Sequence, residues 1–218
     1  MKVPILLPNI FNYPFTYESD LNLKIGDYVV VPFGKTKTTG VVWDEFEKTT
    51  NKSFLIKKVL QKLDVPALKK DTIKFLNWFS QYNMVPKGMA LKLVLLSSNA
   101  IEKFPKEVYE NFKTESKKNK IELSNDQKKT LKKMNILNQS FRVHVLQGTT
   151  GSGKTIVYFE ALKKIINKRH QVLILIPEIG LTSEFEKKFI EFFGFSPAIW
   201  HSGVTKKNKE IIWSGIAN

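Results

Sequence analysis

Cysteine is absent from this sequence of 218 residues. Its absence excludes disulfide bridges and thiolate metal sites, and it is typical of cytoplasmic proteins. Histidine is nearly as scarce, and the three residues His144, His170 and His201 lack the spacing of metal ligands. No apolar run approaches the length that crosses a bilayer. We therefore expect a soluble protein of the cytoplasm without a membrane partner.

Acidic residues and arginine are also few. The chain has 35 lysines and arginines against 20 aspartates and glutamates, for a formal net charge of +15. Arg142 and Arg169 are the only arginines, so nearly all of the positive charge is lysine. Such an excess favours a polyanionic partner, most often nucleic acid. A general lysine-rich composition explains the charge about equally well, so composition alone does not decide the partner.

One stretch predicts a ligand by itself, the glycine-rich sequence Gly148-Thr149-Thr150-Gly151-Ser152-Gly153-Lys154-Thr155. An apolar segment at 141–147 predicts a strand before it, and residues 156–166 carry an apolar helical stripe after it. Strand, glycine-rich turn and helix form the context of a phosphate-binding loop. In such a loop Lys154 reaches the β- and γ-phosphates and the Thr155 hydroxyl holds Mg²⁺. We therefore predict binding of ATP with Mg²⁺, with Lys154 and Thr155 as catalytic residues.

The N-terminal part has the pattern of a small β-rich domain. Short β-branched runs at 29–31, 40–43 and 54–60 predict strands of a small barrel or curled sheet. Apolar residues at helical spacing, Phe75 and Phe79 among them, then predict a helix over 68–82, and a shorter helix follows at 89–96. Residues 97–120 are rich in lysine and predict a linker.

The C-terminal part alternates strands and helices. Ser124 and Gln127 have the spacing of a capping box and predict the start of a helix. The very apolar run at 171–176 predicts a buried parallel strand, and a third strand is predicted at 198–200. Four phenylalanines between these strands are predicted to pack in the core: Phe185, Phe189, Phe192 and Phe193.

Three C-terminal motifs together identify a family. They are the glycine-rich stretch, the segment Ile176-Pro177-Glu178-Ile179-Gly180-Leu181-Thr182, and His201-Ser202-Gly203. With Phe11-Asn12-Tyr13, Val31-Pro32-Phe33-Gly34 and Gly40-Val41-Val42 in the N-terminal part, the sequence resembles the PriA family of bacterial replication-restart helicases. The resemblance implies a β-rich DNA-binding domain at 1–100, a basic linker at 101–121 and part of a RecA-like α/β helicase lobe at 122–218.

The resemblance also implies a function. It is that of an ATP-dependent 3′-to-5′ DNA helicase that recognises stalled forks and D-loops and initiates primosome assembly, with links to DNA repair and recombination. The implied partners are forks, D-loops, 3′ ends and single strands of DNA, primosome proteins and the single-stranded-DNA-binding protein. The implied location is the bacterial cytoplasm, in association with the nucleoid.

Four residues match the family's pocket for the 3′ end of a strand, namely Phe11, Asn12, Gly34 and Lys57. The family usually has an aspartate where Asn12 stands. An amide can accept a hydrogen bond from the 3′-hydroxyl but without the assistance of a charge. We expect the pocket to favour a 3′-hydroxyl over a 3′-phosphate, because the phosphate is bulky and doubly charged.

Other family positions lie in the helicase lobe. Gln127 matches a glutamine near the adenine, although a capping box explains it about as well. Glu178, Gly180 and Thr182 belong to the motif that lies along single-stranded DNA. A strand-end loop with N–H groups and a threonine hydroxyl is suited to phosphate contacts.

The sequence departs from the family in two respects. The lysine-rich stretch near 100–122 stands where the family has a winged-helix domain, and Asn218 precedes the acidic motif that would hold Mg²⁺. Zinc is expected only in a cysteine-rich segment outside these residues. We therefore expect an N-terminal part of the helicase that is inactive alone. Two rival functions are a non-catalytic DNA- and ATP-binding module and a different P-loop enzyme, such as a small-molecule kinase.

Overall fold

The computed structural model describes residues 1–46, 56–95, 98–102, 122–137, 141–177 and 182–217. The chain divides into two compact units, one made of Met1–Tyr109 with Val204–Asn218 and the other of Glu110–Gly203. The first unit contains β1 (Lys2–Leu6), β2 (Phe15–Glu18), β3 (Tyr28–Phe33), β4 (Thr36–Val42), β5 (Gln61–Lys62), α1 (Lys70–Tyr82), α2 (Lys87–Leu91) and α3 (Ser98–Glu102). The second unit contains α4 (Asn125–Met134), α5 (Lys154–Ile166) and α6 (Thr182–Phe193). The last helix, α7 (Lys206–Ala217), belongs to the first unit. In the ranges given above, no helix is long and apolar enough to cross a membrane.

The five strands form one antiparallel sheet in the order β2-β1-β4-β3-β5. β3 and β4 make a hairpin in which Phe33 pairs with Thr36 across a two-residue turn. Gly34 supplies the positive φ of 60° that this turn requires. Gly40 lies in β4 where any Cβ would collide with the side chains of Ile5 and Leu7, so it permits the close approach of β1.

The predicted strands at 29–31 and 40–43 are confirmed as parts of β3 and β4. The strand predicted at 54–60 is not found as such. Residues 54 and 55 lie outside the described ranges, Lys58 makes only one isolated bridge with Glu18, and β5 begins at Gln61. β1 was not predicted, because Pro4 interrupts it. Pro4 has no N–H to donate, but its carbonyl accepts a hydrogen bond from the main-chain N–H of Trp43 at 2.8 Å.

Alternation along the strands gives the sheet an apolar layer on each face. One layer contains Ile5, Leu7, Val29 and Val31. The other layer carries the helices, and its buried residues are Leu6, Tyr28, Val41, Trp43, Leu63, Val65, Ile73, Leu76, Ala90, Leu91, Leu95 and Ile101. Thr39 also faces the helices, and its hydroxyl donates to the Glu102 carboxylate of α3 at 3.0 Å. The sheet and its helices therefore form one packed body.

Helix α1 confirms the predicted helix over 68–82 but differs in which residues it buries. Ile73, Leu76 and Ser80 face the core, whereas Phe75 is 49 % exposed. Phe75, Trp78 and Tyr82 instead form an exposed aromatic stripe, in which the last two rings stack at 5.2 Å. The spacing alone could not separate these two faces because both are apolar. The second predicted helix, 89–96, is found only in part: α2 begins earlier, after Pro86, and ends at Leu91.

Helix α7 packs on the first unit, although it follows the second unit in sequence. Trp213 contacts the helix-covered layer, and its ring lies edge-on to Tyr28 with centroids 6.5 Å apart. Ser214 is buried beside it. The sequence placed these residues in the helicase lobe at 122–218, whereas the structure groups Val204–Asn218 with the N-terminal sheet.

The second unit is held together by aromatic residues. Phe159 of α5 contacts all four phenylalanines of α6, with ring centroids 5.2–5.8 Å apart. Phe159, Phe189 and Phe193 are buried. The prediction that the phenylalanines of α6 are core residues is therefore confirmed.

The strands predicted in this unit are not formed. Residues 141–147, 171–176 and 198–200 lie outside any strand, and Leu173 and Leu175 are 82 % and 83 % exposed. Every second residue from 172 to 176 is half-buried, and Ile174 packs against the aromatic core. Half-buried and exposed residues thus alternate along the segment, as they do in a strand that is covered on one face. A parallel strand also needs hydrogen-bonded neighbours and a cover on both faces, which local sequence does not supply.

Candidate nucleotide and nucleic-acid sites

The glycine-rich stretch leads directly into helix α5, as predicted. Gly151 and Gly153 both have φ of 80°, which side chains with a Cβ rarely adopt. Gly153 is the N-cap of α5, and Lys154 is the first residue of the helix. The first N–H groups of the helix therefore point into the loop, together with the positive end of the helix dipole.

The ammonium group of Lys154 lies over the loop. Its Nζ donates to the carbonyl oxygens of Gly148 and Thr149, at 2.6 and 2.8 Å. The loop is closed by a hydrogen bond from the main-chain N–H of Ser152 to the Thr149 carbonyl at 3.3 Å. This arrangement places one cation and several main-chain donors around a short turn, which is the chemistry that binds phosphate.

Gln127 has two structural roles. It completes the predicted capping box of α4. Its Oε1 accepts a hydrogen bond from the Ser124 main-chain N–H at 2.9 Å, and the Ser124 hydroxyl accepts one from the Gln127 main-chain N–H at 3.2 Å. Its Nε2 donates to the carbonyl of Ser152 at 3.2 Å. A Cβ at Gly153 would collide with the same amide. Gln127 thus supports the loop directly, and the two interpretations of this residue, cap and nucleotide-site residue, are compatible.

The predicted contacts to single-stranded DNA fall largely outside the described residues. Glu178 and Gly180 lie there, and Thr182 is the first residue of α6. His201 is in a turn, where its Nδ1 accepts from the Gly203 main-chain N–H at 3.1 Å. These positions stay predictions.

The residues predicted to hold a DNA end lie in the first unit around an aromatic cluster. The cluster consists of Phe11, Tyr13, Phe15 and Phe33, with successive ring centroids 5.3–5.5 Å apart. Sequence reasoning selected Phe11 alone. The other three rings come from β2, from β3 and from the segment before β2, so only the antiparallel pairing of the strands brings them together.

Lys57 and Gly34 are in direct contact. The Lys57 Nζ donates to the Gly34 carbonyl at 3.2 Å, at an exposed position. Gly34 follows Phe33 of the aromatic cluster, and no described atom lies within 4 Å of where its Cβ would be. The structure therefore brings together an aromatic surface, a lysine and open space above a glycine.

Asn12 is held by a different partner. Its Oδ1 accepts a hydrogen bond from the main-chain N–H of Lys87, the first residue of α2, at 3.0 Å. Asn12 also lines a cleft of about 550 Å³, together with the amides of Asn77 and Gln81. The Lys87 ammonium pairs with Glu45 at 2.9 Å in the wall of this cleft. Lys87 was not predicted from the sequence, because it lies 75 residues from Asn12.

Comparison with known proteins places these sites in a family. A family model described as the 3′DNA-binding domain (3′BD) of PriA matches residues 2–96, and one described as the res subunit of type III restriction enzymes matches residues 92–216. Replication restart protein PriA of Rickettsia conorii is 36% identical over 217 residues, which are 97% of this chain and 32% of the relative. The PriA protein of Rickettsia felis is 38% identical over 218 residues, which again are 97% of this chain and 32% of the relative. The chain belongs to the PriA family.

The two family models confirm the predicted fold class of the PriA-family chain, a β-rich 3′-DNA-binding domain followed by a helicase-type region. They also confirm DNA as a partner of the first domain. The chain spans about a third of the length of the Rickettsia PriA proteins that it matches.

Alignment lengths separate two kinds of PriA relative. The Rickettsia alignments run over 217 and 218 residues, the length of this chain. The alignment with PriA of Haemophilus influenzae is 24% identical and runs over 288 residues, covering 98% of this chain and 39% of the relative. That relative therefore carries at least 70 more residues in the matched part. This chain and the Rickettsia proteins lack these additional residues in the matched part.

Proposed function

We propose that this chain binds the 3′ end of a DNA strand through its first unit and ATP with Mg²⁺ through residues 148–155. We propose further that the whole protein is an ATP-dependent 3′-to-5′ DNA helicase that restarts replication. The observation that carries this proposal is that one chain contains both a 3′-DNA-binding domain at 2–96 and a loop with Lys154 at the start of a helix.

The nucleotide half rests on the loop. Main-chain N–H groups at the start of α5 can donate to phosphate oxygens, and the Lys154 ammonium can move from the Gly148 and Thr149 carbonyls to the β- and γ-phosphates. The Thr155 hydroxyl would hold Mg²⁺, which would supply positive charge to neutralise the phosphates. The Gln127 amide keeps the loop in position through Ser152.

The DNA half rests on the aromatic cluster and its lysine. Rings such as Phe11 offer flat apolar surfaces on which a base can stack regardless of its identity. The exposed Lys57 ammonium beside Gly34 can neutralise a phosphate. The motif with Glu178, Gly180 and Thr182 is proposed to follow a single strand in the helicase region.

The biological setting is proposed from family resemblance. It comprises recognition of stalled forks and D-loops, assembly of the primosome with its proteins and the single-stranded-DNA-binding protein, and roles in DNA repair and recombination. A cytoplasmic, nucleoid-associated location accompanies these roles. The charge of +15 supports a nucleic-acid partner.

The experiment that tests the proposal compares Lys154→Ala with Lys164→Ala, an exposed lysine on the same helix. Binding of a fluorescent ATP analogue with Mg²⁺ should weaken by at least about tenfold in Lys154→Ala and stay unchanged in Lys164→Ala. Affinity for a 3′-ended DNA strand should be the same in both variants. Equal nucleotide affinity in the two variants would refute the phosphate-loop assignment. DNA-stimulated hydrolysis of ATP by this chain would argue against the rival function of a non-catalytic binding module.

A further inference from the structure

The amide of Asn12 has a defined orientation. A main-chain N–H can only donate, so the atom that faces the Lys87 nitrogen at 3.0 Å must be the carbonyl oxygen Oδ1. The amide nitrogen Nδ2 therefore points elsewhere, and Asn12 is exposed. Among the residues that the structure describes, Nδ2 has no hydrogen-bond partner. What Asn12 offers a ligand is thus chiefly a pair of N–H donors, since its oxygen already accepts one hydrogen bond.

The proposed DNA-end site contains further donors. The exposed Lys57 ammonium is anchored to the Gly34 carbonyl at 3.2 Å and has further protons to donate. Lys35 follows Gly34 in the same exposed turn. Glu45 is the one carboxylate that lines the cleft beside Asn12, and the Lys87 ammonium neutralises it at 2.9 Å. No unpaired negative charge faces Asn12 from the described residues that line the cleft.

We propose that Asn12 makes the DNA-end site of this chain a hydrogen-bond-donor site that accepts a strand with a 3′-phosphate at least as well as one with a 3′-hydroxyl. The inference rests on the proposed binding of a DNA 3′ end by the first unit. It reverses the expectation from the sequence, which was that the pocket would reject a bulky and doubly charged phosphate. The Asn12 oxygen already accepts a hydrogen bond from α2.

The charge of the terminal group explains the preference. A phosphate monoester carries about −1.5 to −2 charges at pH 7 and three acceptor oxygens, which suit N–H donors and an ammonium. Hydrogen bonds to an ionised acceptor are also shorter and about twice as strong as neutral ones. An aspartate at this position would act in the opposite way. One of its oxygens would accept from the Lys87 N–H, and the other would accept from a hydroxyl and repel a phosphate.

The test uses the full chain and two single strands of identical sequence, one ending in a 3′-hydroxyl and one in a 3′-phosphate. Binding is measured by fluorescence anisotropy at fixed salt, since phosphate contacts make affinity salt-dependent. The unmodified chain should bind the phosphate strand at least as tightly as the hydroxyl strand. Asn12→Asp should bind the phosphate strand at least about tenfold more weakly than the hydroxyl strand.

Asn208→Asp is the matched control. Asn208 is exposed in α7 and does not line the cleft beside Asn12, so its replacement adds the same charge to the same unit. It should shift both affinities equally. The inference is overturned if the unmodified chain prefers the hydroxyl strand by about tenfold, or if Asn12→Asp leaves the ratio of the two affinities unchanged. A circular single strand that binds as tightly as both linear strands would refute end binding itself. Thermal unfolding of Asn12→Asp distinguishes a change of specificity from a loss of fold.

Discussion

The indole nitrogen of Trp213 donates a hydrogen bond to the main-chain carbonyl of Val94, 119 residues earlier in the chain, at 2.9 Å. Trp213 lies in the part that matches only the res-subunit family model, and Val94 lies at 92–96, where the matches to the two models overlap. The DNA-binding unit is therefore completed by a helix that sequence comparison assigns to the helicase-type region.

Replacing Trp213 should destabilise the first unit. Trp213→Ala removes an indole packed on Tyr28 and leaves the Val94 carbonyl without its donor, for an expected loss on the order of 2 kcal/mol. Amide hydrogen exchange in β3 and β4 measures this loss. Trp200→Ala is the control, because Trp200 is 49 % exposed in the second unit. Unchanged exchange in β3 and β4 of Trp213→Ala would show that α7 does not support the sheet.

Stability of the first unit should fall at alkaline pH because of Tyr28. Burial raises the pKa of Tyr28 to about 12, and burial also raises the pKa of Tyr17. Since the folded pKa of Tyr28 lies above its ordinary value of 10.0, its contribution is complete below pH 10 and is lost as pH rises towards 12. The loss should be on the order of 1 kcal/mol at pH 11.

Urea unfolding at pH 8 and pH 11 checks the role of Tyr28. Tyr28→Phe keeps the ring but cannot ionise, so the difference between the two pH values should shrink by the amount given above. Tyr82→Phe, which alters a tyrosine that is 72 % exposed, should leave the difference unchanged. Equal pH dependence in Tyr28→Phe and the unmodified chain would contradict the assignment.

Two substitutions at Gln127 separate its roles. Glutamate can still accept from the Ser124 N–H and complete the capping box, but an ionised carboxylate cannot donate to the Ser152 carbonyl. ATP affinity should therefore fall in both Gln127→Glu and Gln127→Ala. The stability of α4 should fall only in Gln127→Ala, by about 1 kcal/mol. Calorimetric titration measures the ATP affinity, and hydrogen exchange measures the stability of α4. Normal ATP affinity in Gln127→Glu would refute the contact of Gln127 with the loop.

Gly34→Asn should block the proposed DNA-end site without unfolding the sheet. Asparagine tolerates a φ of 60° better than most residues, and a Cβ at this position meets no described atom within 4 Å. The new side chain would occupy the space beside Lys57, so affinity for a 3′-ended strand should fall by at least about tenfold. Thr36→Asn places the same side chain on the exposed first residue of β4, directly after the turn, and should bind normally. Normal binding by Gly34→Asn would place the DNA end elsewhere.

Local chemistry made several features predictable. The glycine-rich turn that leads into α5, the capping box at Ser124 and the strands β3 and β4 each depend on residues close together in sequence, so spacing and residue type were sufficient. The phenylalanines of α6 were predictable as core residues for the same reason. Long-range pairing had no such signal. β1 was missed because Pro4 interrupts its pattern, and the strand pairing that tolerates Pro4 involves residues more than ten positions away.

The amino-acid sequence by itself determined the family, the order of the two domains and the residue types of both candidate sites, because motif spacing is a local property. Tertiary structure decided which atoms those residues present. It turned the Asn12 oxygen towards Lys87, assembled three further rings around Phe11, and placed α7 on the N-terminal sheet. Each of these arrangements depends on contacts between segments far apart in the chain, where burial and hydrogen-bond satisfaction, rather than local preference, select the partner.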